Sequence, residues 1–314
     1  MASPSLVDEL PTEILAAALS WLSSRQLVLA ASTSRRFHSV AARVLYRRLI
    51  DVASMPEHKL ILECYHPSAK ISTPYLACRY LGTKVAGADA IDDASPRLQD
   101  LPRMYSSFRP VLTEENRHRR LRPDWPQQSL AMPGGQRDGE DDCATQEVYL
   151  DEGELFSQLC TVTNVVKETA RPGFYVSHVN TCDGVIRIWR GWLDQLAASS
   201  TYRPTDDDSQ RFAASSSGAS GIDTDQFLWV DPAKSVGLRF SNKVKPSERM
   251  PLISGPDDDE AVSYSLVYEE LVVRTTMLLF AVEASAVQEV SRSSKAVVIA
   301  QIAPSRTDSA IARL

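Results

Sequence analysis

The sequence predicts an α+β protein: three short helices in residues 1–50, then a mainly antiparallel β-sandwich domain over residues 147–300. Three observations carry this. Apolar residues in the first fifty positions recur every three or four residues. From Glu147 onward, short stretches rich in β-branched and aromatic residues recur between turn signals, about seven in all. Apolar residues make up 43% of the 314, enough for a core.

In the first helix Leu10, Ile14, Leu15, Ala18, Leu19 and Leu22 make one apolar stripe. Pro11 suits a first helical turn, where its missing N–H costs nothing. Ser23-Ser24-Arg25-Gln26 has the capping-box pattern, so a second helix is expected near Ser24, burying Leu27, Ala30 and Ala31. Ser32 and Ser34 are both candidate caps for a third helix. On it Phe37, Val40, Ala41, Val44 and Leu45 share a face.

Beyond the helices, residues 51–86 form a connecting segment that packs on the later domain. Lys59–Tyr65 reads as a strand, and Tyr75–Leu81 fits strand or short helix. Residues 87–146 are rich in Pro, Gly and charge, and read as a linker or disordered insert. In the β-rich region, 155–159 reads as a short strand or helical turn, and 173–179 and 185–190 as two strands. Helical packing is expected for Trp192, Leu193 and Leu196. Strands follow at 227–230, 236–240, 263–268 and 271–283, with one more apolar run at 296–300. Residues 301–314 form a tail. Residues 130–146 and 203–222 have too few apolar side chains to offset ordering entropy, and are expected to be open to proteases.

The N-terminal residues carry a family resemblance. Leu-Pro-x-Glu-Ile-Leu at 10–15, Leu27, Ser-Arg-Arg-Phe at 34–37 and Val-Leu-Tyr-Arg-x-Leu at 44–49 resemble the F-box of many fungal F-box proteins. The likeness covers residues 8–49. Phe37 departs from it, since many members have Trp there. The resemblance implies docking onto the Skp-type adaptor of a cullin–RING (SCF) ubiquitin ligase, with Leu10, Pro11, Ile14, Leu15 and Leu19 as adaptor contacts. The layout is also similar to fungal F-box proteins with a β-rich domain bearing Ile-Trp-Arg-x-Trp-Leu and Leu-Trp-Val-Asp segments, here 188–193 and 228–231. Jelly-roll-like sandwiches follow the F-box in other members. That comparison is at fold level and says little about the ligand.

Two other readings compete for the helices. One is an ordinary subdomain packed on the β-domain. The other is a DNA-reading module, because Arg35, Arg36, Arg43, Arg47 and Arg48 make the third helix basic. The net charge of −6 and the absence of a base-reading Asn or Gln on that helix argue against nucleic acid.

The remaining chemistry is sparse. Five scattered cysteines suit a reducing compartment, cytosolic or nuclear, and none is spaced for zinc. No signal peptide or membrane span is expected, no apolar run being longer than Met277–Val282. The terminal Ala312-Arg313-Leu314 resembles a peroxisomal address. The acidic runs at 206–208 and 257–260 lack calcium-loop spacing. No catalytic residues, metal ligands or cofactor site emerge.

Trp189, Trp192 and Trp229 fall in the β-domain beside Arg187, Arg190 and Asp231, and are the candidate target-binding residues, with core packing as the competing role. The expected activity is that of a non-catalytic substrate receptor. It would bind a Skp-type adaptor, through it a cullin, and an unidentified protein target, glycosylated or modified targets included. The alternative is a β-sandwich ligand- or sugar-binding protein with a helical cap and no ligase role.

Overall fold

The computed structural model describes residues 10–70, 73–87, 91, 96–113, 144–151, 153–169, 174–201, 221–222, 226–245, 262–291 and 297–298. The three expected helices are α1 (Thr12–Leu19), α2 (Ser24–Ala31) and α3 (Arg35–Ala53). Pro11 is the extended residue just before α1 rather than inside it. Both halves of the capping box form: Ser23 accepts from the Gln26 amide, and the Gln26 side chain accepts from the Ser23 amide. Ser34, not Ser32, caps α3 by accepting from Phe37 N. Helix α3 ends where Met55 takes a left-handed conformation with φ of 52°. The chain then enters the sheet directly as β1 (Lys59–Tyr65).

After β1 come β2 (Leu76–Ala86), β3 (Met104–Leu112), β4 (Thr145–Leu150), β5 (Phe156–Glu168), β6 (Phe174–Trp189), α4 (Arg190–Thr201), β7 (Gly221–Ile222), β8 (Leu228–Trp229), β9 (Val236–Lys245), β10 (Val262–Arg274), α5 (Thr275–Ser291) and β11 (Val297–Val298). All eleven described strands join one sheet, in the order β11-β6-β5-β1-β2-β3-β10-β9-β8, with β4 added to β10 and β7 to β2. Every pairing is antiparallel except the short β2–β7 one. The expected antiparallel β-domain is therefore present. Its described strands form a single sheet and do not trace a jelly-roll.

The sheet curls. A Cβ placed on Gly184 of β6 would lie 2.7 Å from Val230 Cγ1, beside β8. Helix α4 leaves the end of β6 and packs against β9. The two ends of the strand order thus converge, and the inward faces make one core. Leu60, Leu62, Phe108, Leu159, Ile186, Leu238, Leu266 and Leu271 lie in it together with Leu15, Leu27, Val40 and Leu49 of the helices. Strand β10 is shared along one edge. Its last residues pair with β3 (Leu271↔Phe108) and its first with β4 (Val267↔Thr145), while its pairing with β9 shifts register between Tyr268 and Glu270.

Several expectations are corrected. Residues 104–112, assigned to the insert 87–146, form β3, a largely buried strand between β2 and β10. Residues 114–143 of that insert lie outside the described residues, as do 202–220 and the 301–314 tail. The two strands expected over 173–190 are the continuous β6. The strand expected over 271–283 stops at Arg274, and the rest is α5. This helix packs on β3, β5, β6 and β10 on one side and α3 on another, so it is apolar on more than one face and its run carries no clear period.

Candidate docking face on the helical module

The geometry of α1 divides the predicted stripe in two. Leu15 and Leu19 turn inward and are buried, and Leu22 is partly buried beside them. Leu10, Pro11, Ile14 and Ala18 turn outward, with Ile14 55% exposed. Leu15 and Leu19 thus belong to the module's own core and are corrected as surface contacts. A helix only eight residues long cannot close a core with α2 and α3 unless one apolar row faces in.

Sequence reasoning missed the largest exposed side chain of the module. Trp21, 90% exposed, stands just past the end of α1. Its backbone is not loose: Arg48 Nη2 donates to Ser20 O at 2.7 Å and to Leu22 O at 2.6 Å, pinning the turn on both sides of it. Leu29, 71% exposed, and Val28 add apolar surface on α2. Helix periodicity could not find Trp21, because it lies after the helix. The usable signal was an indole in a short polar turn between two helices, where no core position is available.

Solvent-facing apolar side chains held on fixed backbone mark an interaction surface. Residues 7–51 match the F-box-like family. The comparisons with curated proteins and with solved structures give no match. The F-box match spans α1, α2 and most of α3, and so contains the whole exposed face apart from the far end of α3.

The three tryptophans of the β-domain do not form one site. Trp192, on α4, packs against the main core. Trp229 lies 5.8 Å from the Tyr105 ring and 5.9 Å from the Phe227 ring, in a separate small cluster with Val272. Only Trp189 is half exposed. Its ring is 5.1 Å from that of Phe156 on β5, and the Arg187 guanidinium lies 5.6 Å from the same Phe156 ring. Exposed Leu155 lies just before β5 and exposed Val185 on β6. Arg190 donates to Glu154 O and Asp151 O, fastening the turn that carries Leu155.

Burial pushes the Cys64 thiol up to about 11 and the Cys78 thiol further still, so both stay protonated and unreactive at neutral pH. His58 Nε2 is 3.0 Å from Ser285 Oγ, which is in turn hydrogen-bonded to Ser177 Oγ. A Ser–His pair can make a nucleophile, but Ser285 and Ser177 are both fully buried, so no substrate reaches them. Among the described residues no cluster of His, Cys, Asp or Glu has metal-site geometry, and no helix is long and apolar enough to cross a membrane.

Proposed function

We propose that this chain is a substrate receptor of an SCF-type ubiquitin ligase, without catalysis of its own. The F-box-like match over residues 7–51, with Ile14 and Trp21 standing out from it, carries the reading. The docked partner is a Skp-type adaptor, joined through it to a cullin, in the cytosol or nucleus. A receptor of this kind raises the effective concentration of a target near the transfer machinery. The target surface is the Trp189–Phe156–Arg187 end of β5 and β6. Lys59 at the start of β1 pairs with Val166, ten residues along β5 from Phe156, so this end lies roughly 30 Å along the strand from where the F-box enters the sheet. That separation lets adaptor and target bind together.

The test is co-purification with a recombinant Skp-type adaptor. Ile14→Asp combined with Trp21→Asp places two charges where apolar burial is required, and should abolish adaptor binding while shifting the melting temperature little. Leu15→Ala should instead destabilise the fold by about 2–5 kcal/mol, as expected of a buried leucine. If the outward double variant still retains the adaptor, the docking assignment is wrong. The runner-up, a binding protein with a helical cap and no ligase role, predicts no adaptor binding by the unmodified chain. Trp189→Ala should preserve adaptor binding and fold but release co-purifying targets. Loss of fold instead would assign that indole to packing.

A further inference from the structure

One carboxylate sits where the F-box meets the β-domain. Glu283 lies on α5, and its Oε1 accepts from the Ser24 hydroxyl at 2.6 Å and from the Ser24 amide at 3.1 Å. Arg48 Nη1, from α3, approaches the same oxygen at 3.4 Å and Ser24 Oγ at 3.2 Å. The other Arg48 nitrogen holds the carbonyls on either side of Trp21. A single side chain of α5 therefore grips the first residue of α2 directly, and through Arg48 it reaches α3 and the turn that ends α1.

The chemistry favours an acid at this point. Ser24 opens α2, so its N–H is among those a helix leaves without an internal partner. The positive end of the helix dipole adds attraction for an anion. Ser23 serves the Gln26 amide, and Ser24 itself is buried, so water does not substitute for Glu283. Beside this contact the Arg25 guanidinium lies 5.8 Å from the Phe280 ring, also on α5.

We propose that Glu283 is a positioning residue that fixes the direction in which the F-box docking face points relative to the β-domain. Its functional meaning rests on the adaptor reading above, but the joint itself does not. Apolar burial is non-directional, so by itself it selects no particular angle between packed helices. Hydrogen bonds from an amide, a hydroxyl and a guanidinium to one carboxylate admit a single arrangement. Breaking them leaves both bodies folded and loosens the angle between them.

The experiment uses the full chain with spin labels placed at Arg43 and Asp183 through unnatural amino acids, which spares the native cysteines. Glu283→Ala should broaden the distance distribution between the labels. The Ser24 amide should exchange with solvent faster by about tenfold or more, the effect of losing a charged hydrogen bond. Amides of Val165 and Leu266, deep in the sheet, should keep their protection, and affinity for the recombinant adaptor should stay within about twofold. Glu283→Gln keeps an acceptor without the charge, and Ser24 should exchange at an intermediate rate. An unchanged distribution and unchanged Ser24 exchange in Glu283→Ala would overturn the proposal. So would loss of protection throughout the sheet, which would make Glu283 a general stabiliser. Should Glu283→Ala fail to fold, Glu283→Gln decides alone, and wild-type exchange at Ser24 in it refutes the role of the charge. An unmodified chain that does not bind the adaptor would sink the ligase reading, yet leave the distance and exchange measurements fully readable.

Discussion

Glu270 shows how a buried acid can be kept ionised by its neighbours. It is almost wholly enclosed, on β10 next to the register shift, with Lys84 Nζ and Arg239 Nη2 each 2.8 Å from one of its oxygens. Burial alone would raise its pKa, but Lys84, the Ser107 hydroxyl and Arg239 together outweigh that and hold it below its ordinary value of 4.5. The folded chain therefore binds this proton less readily than the unfolded chain. The stabilisation is fully present above pH 4.5 and is lost as pH falls through the lowered folded value. Glu270→Gln should lower stability at pH 7 by about 1–3 kcal/mol and flatten the acid side of the profile below pH 4.5. Denaturant midpoints measured from pH 3 to 7 check this, and an acid limb as steep as wild type would contradict it. The F-box illustrates the opposite outcome at neighbouring positions. Ile14 and Leu15 are equally apolar and adjacent in sequence, yet one faces solvent and the other the core. Spacing alone put both on a single stripe, because it says which residues share a side and not what lies opposite each one.

Helix caps were readable from the sequence because they are local. Ser23 with Gln26, and Ser34, need only their own neighbours to act. Strand β1 was readable for a similar reason, as a short apolar run with sharp limits. Three other segments were not. Strand β3 contains Pro110 and Arg109 and is flanked by polar sequence, and it becomes a strand because β2 and β10 supply partners from distant positions. Strands β5 and β6 are long, but inward-facing Thr161, Thr163 and Thr181 interrupt the apolar alternation. Two of these threonines satisfy each other at 2.8 Å, which no pattern of apolar residues can reveal. The run from Leu271 onward changes from strand to helix at Thr275 with no Gly or Pro to mark it. The close approach of β6 to the turn after β8 occurs at Gly184, and its tightness can be tested. Gly184→Ala puts a methyl 2.7 Å from a Val230 side-chain carbon and 3.0 Å from its carbonyl oxygen. The carbonyl belongs to backbone and cannot swing aside, so the variant should lose about 1–3 kcal/mol. A melting temperature equal to wild type would mean that β6 and the β8–β9 turn are free to move apart.

Taken as a whole, the chain places an F-box-like module, helix α5 and a curled antiparallel sheet in one continuous core. The proposed docking face was readable as a family pattern, but its most exposed side chain, Trp21, was not. The proposed target end was readable only as a group of tryptophans, of which the fold exposes one. The core also joins distant parts of the chain. Strand β1, entered five residues after α3, pairs with β5 about a hundred positions later, and Ser24 meets Glu283 across 259 positions. These separations have a consequence for the order of events during synthesis. The contacts that make the three helices are local and form quickly, whereas distant strand pairing is slow. As the chain leaves the ribosome, the F-box helices are complete long before α5 has been made. The nascent protein therefore passes through a stage in which the proposed docking surface exists before the Ser24–Glu283 contact can form. Among the described residues α5 is the last helix to be translated, and it carries the Glu283 proposed to set that angle.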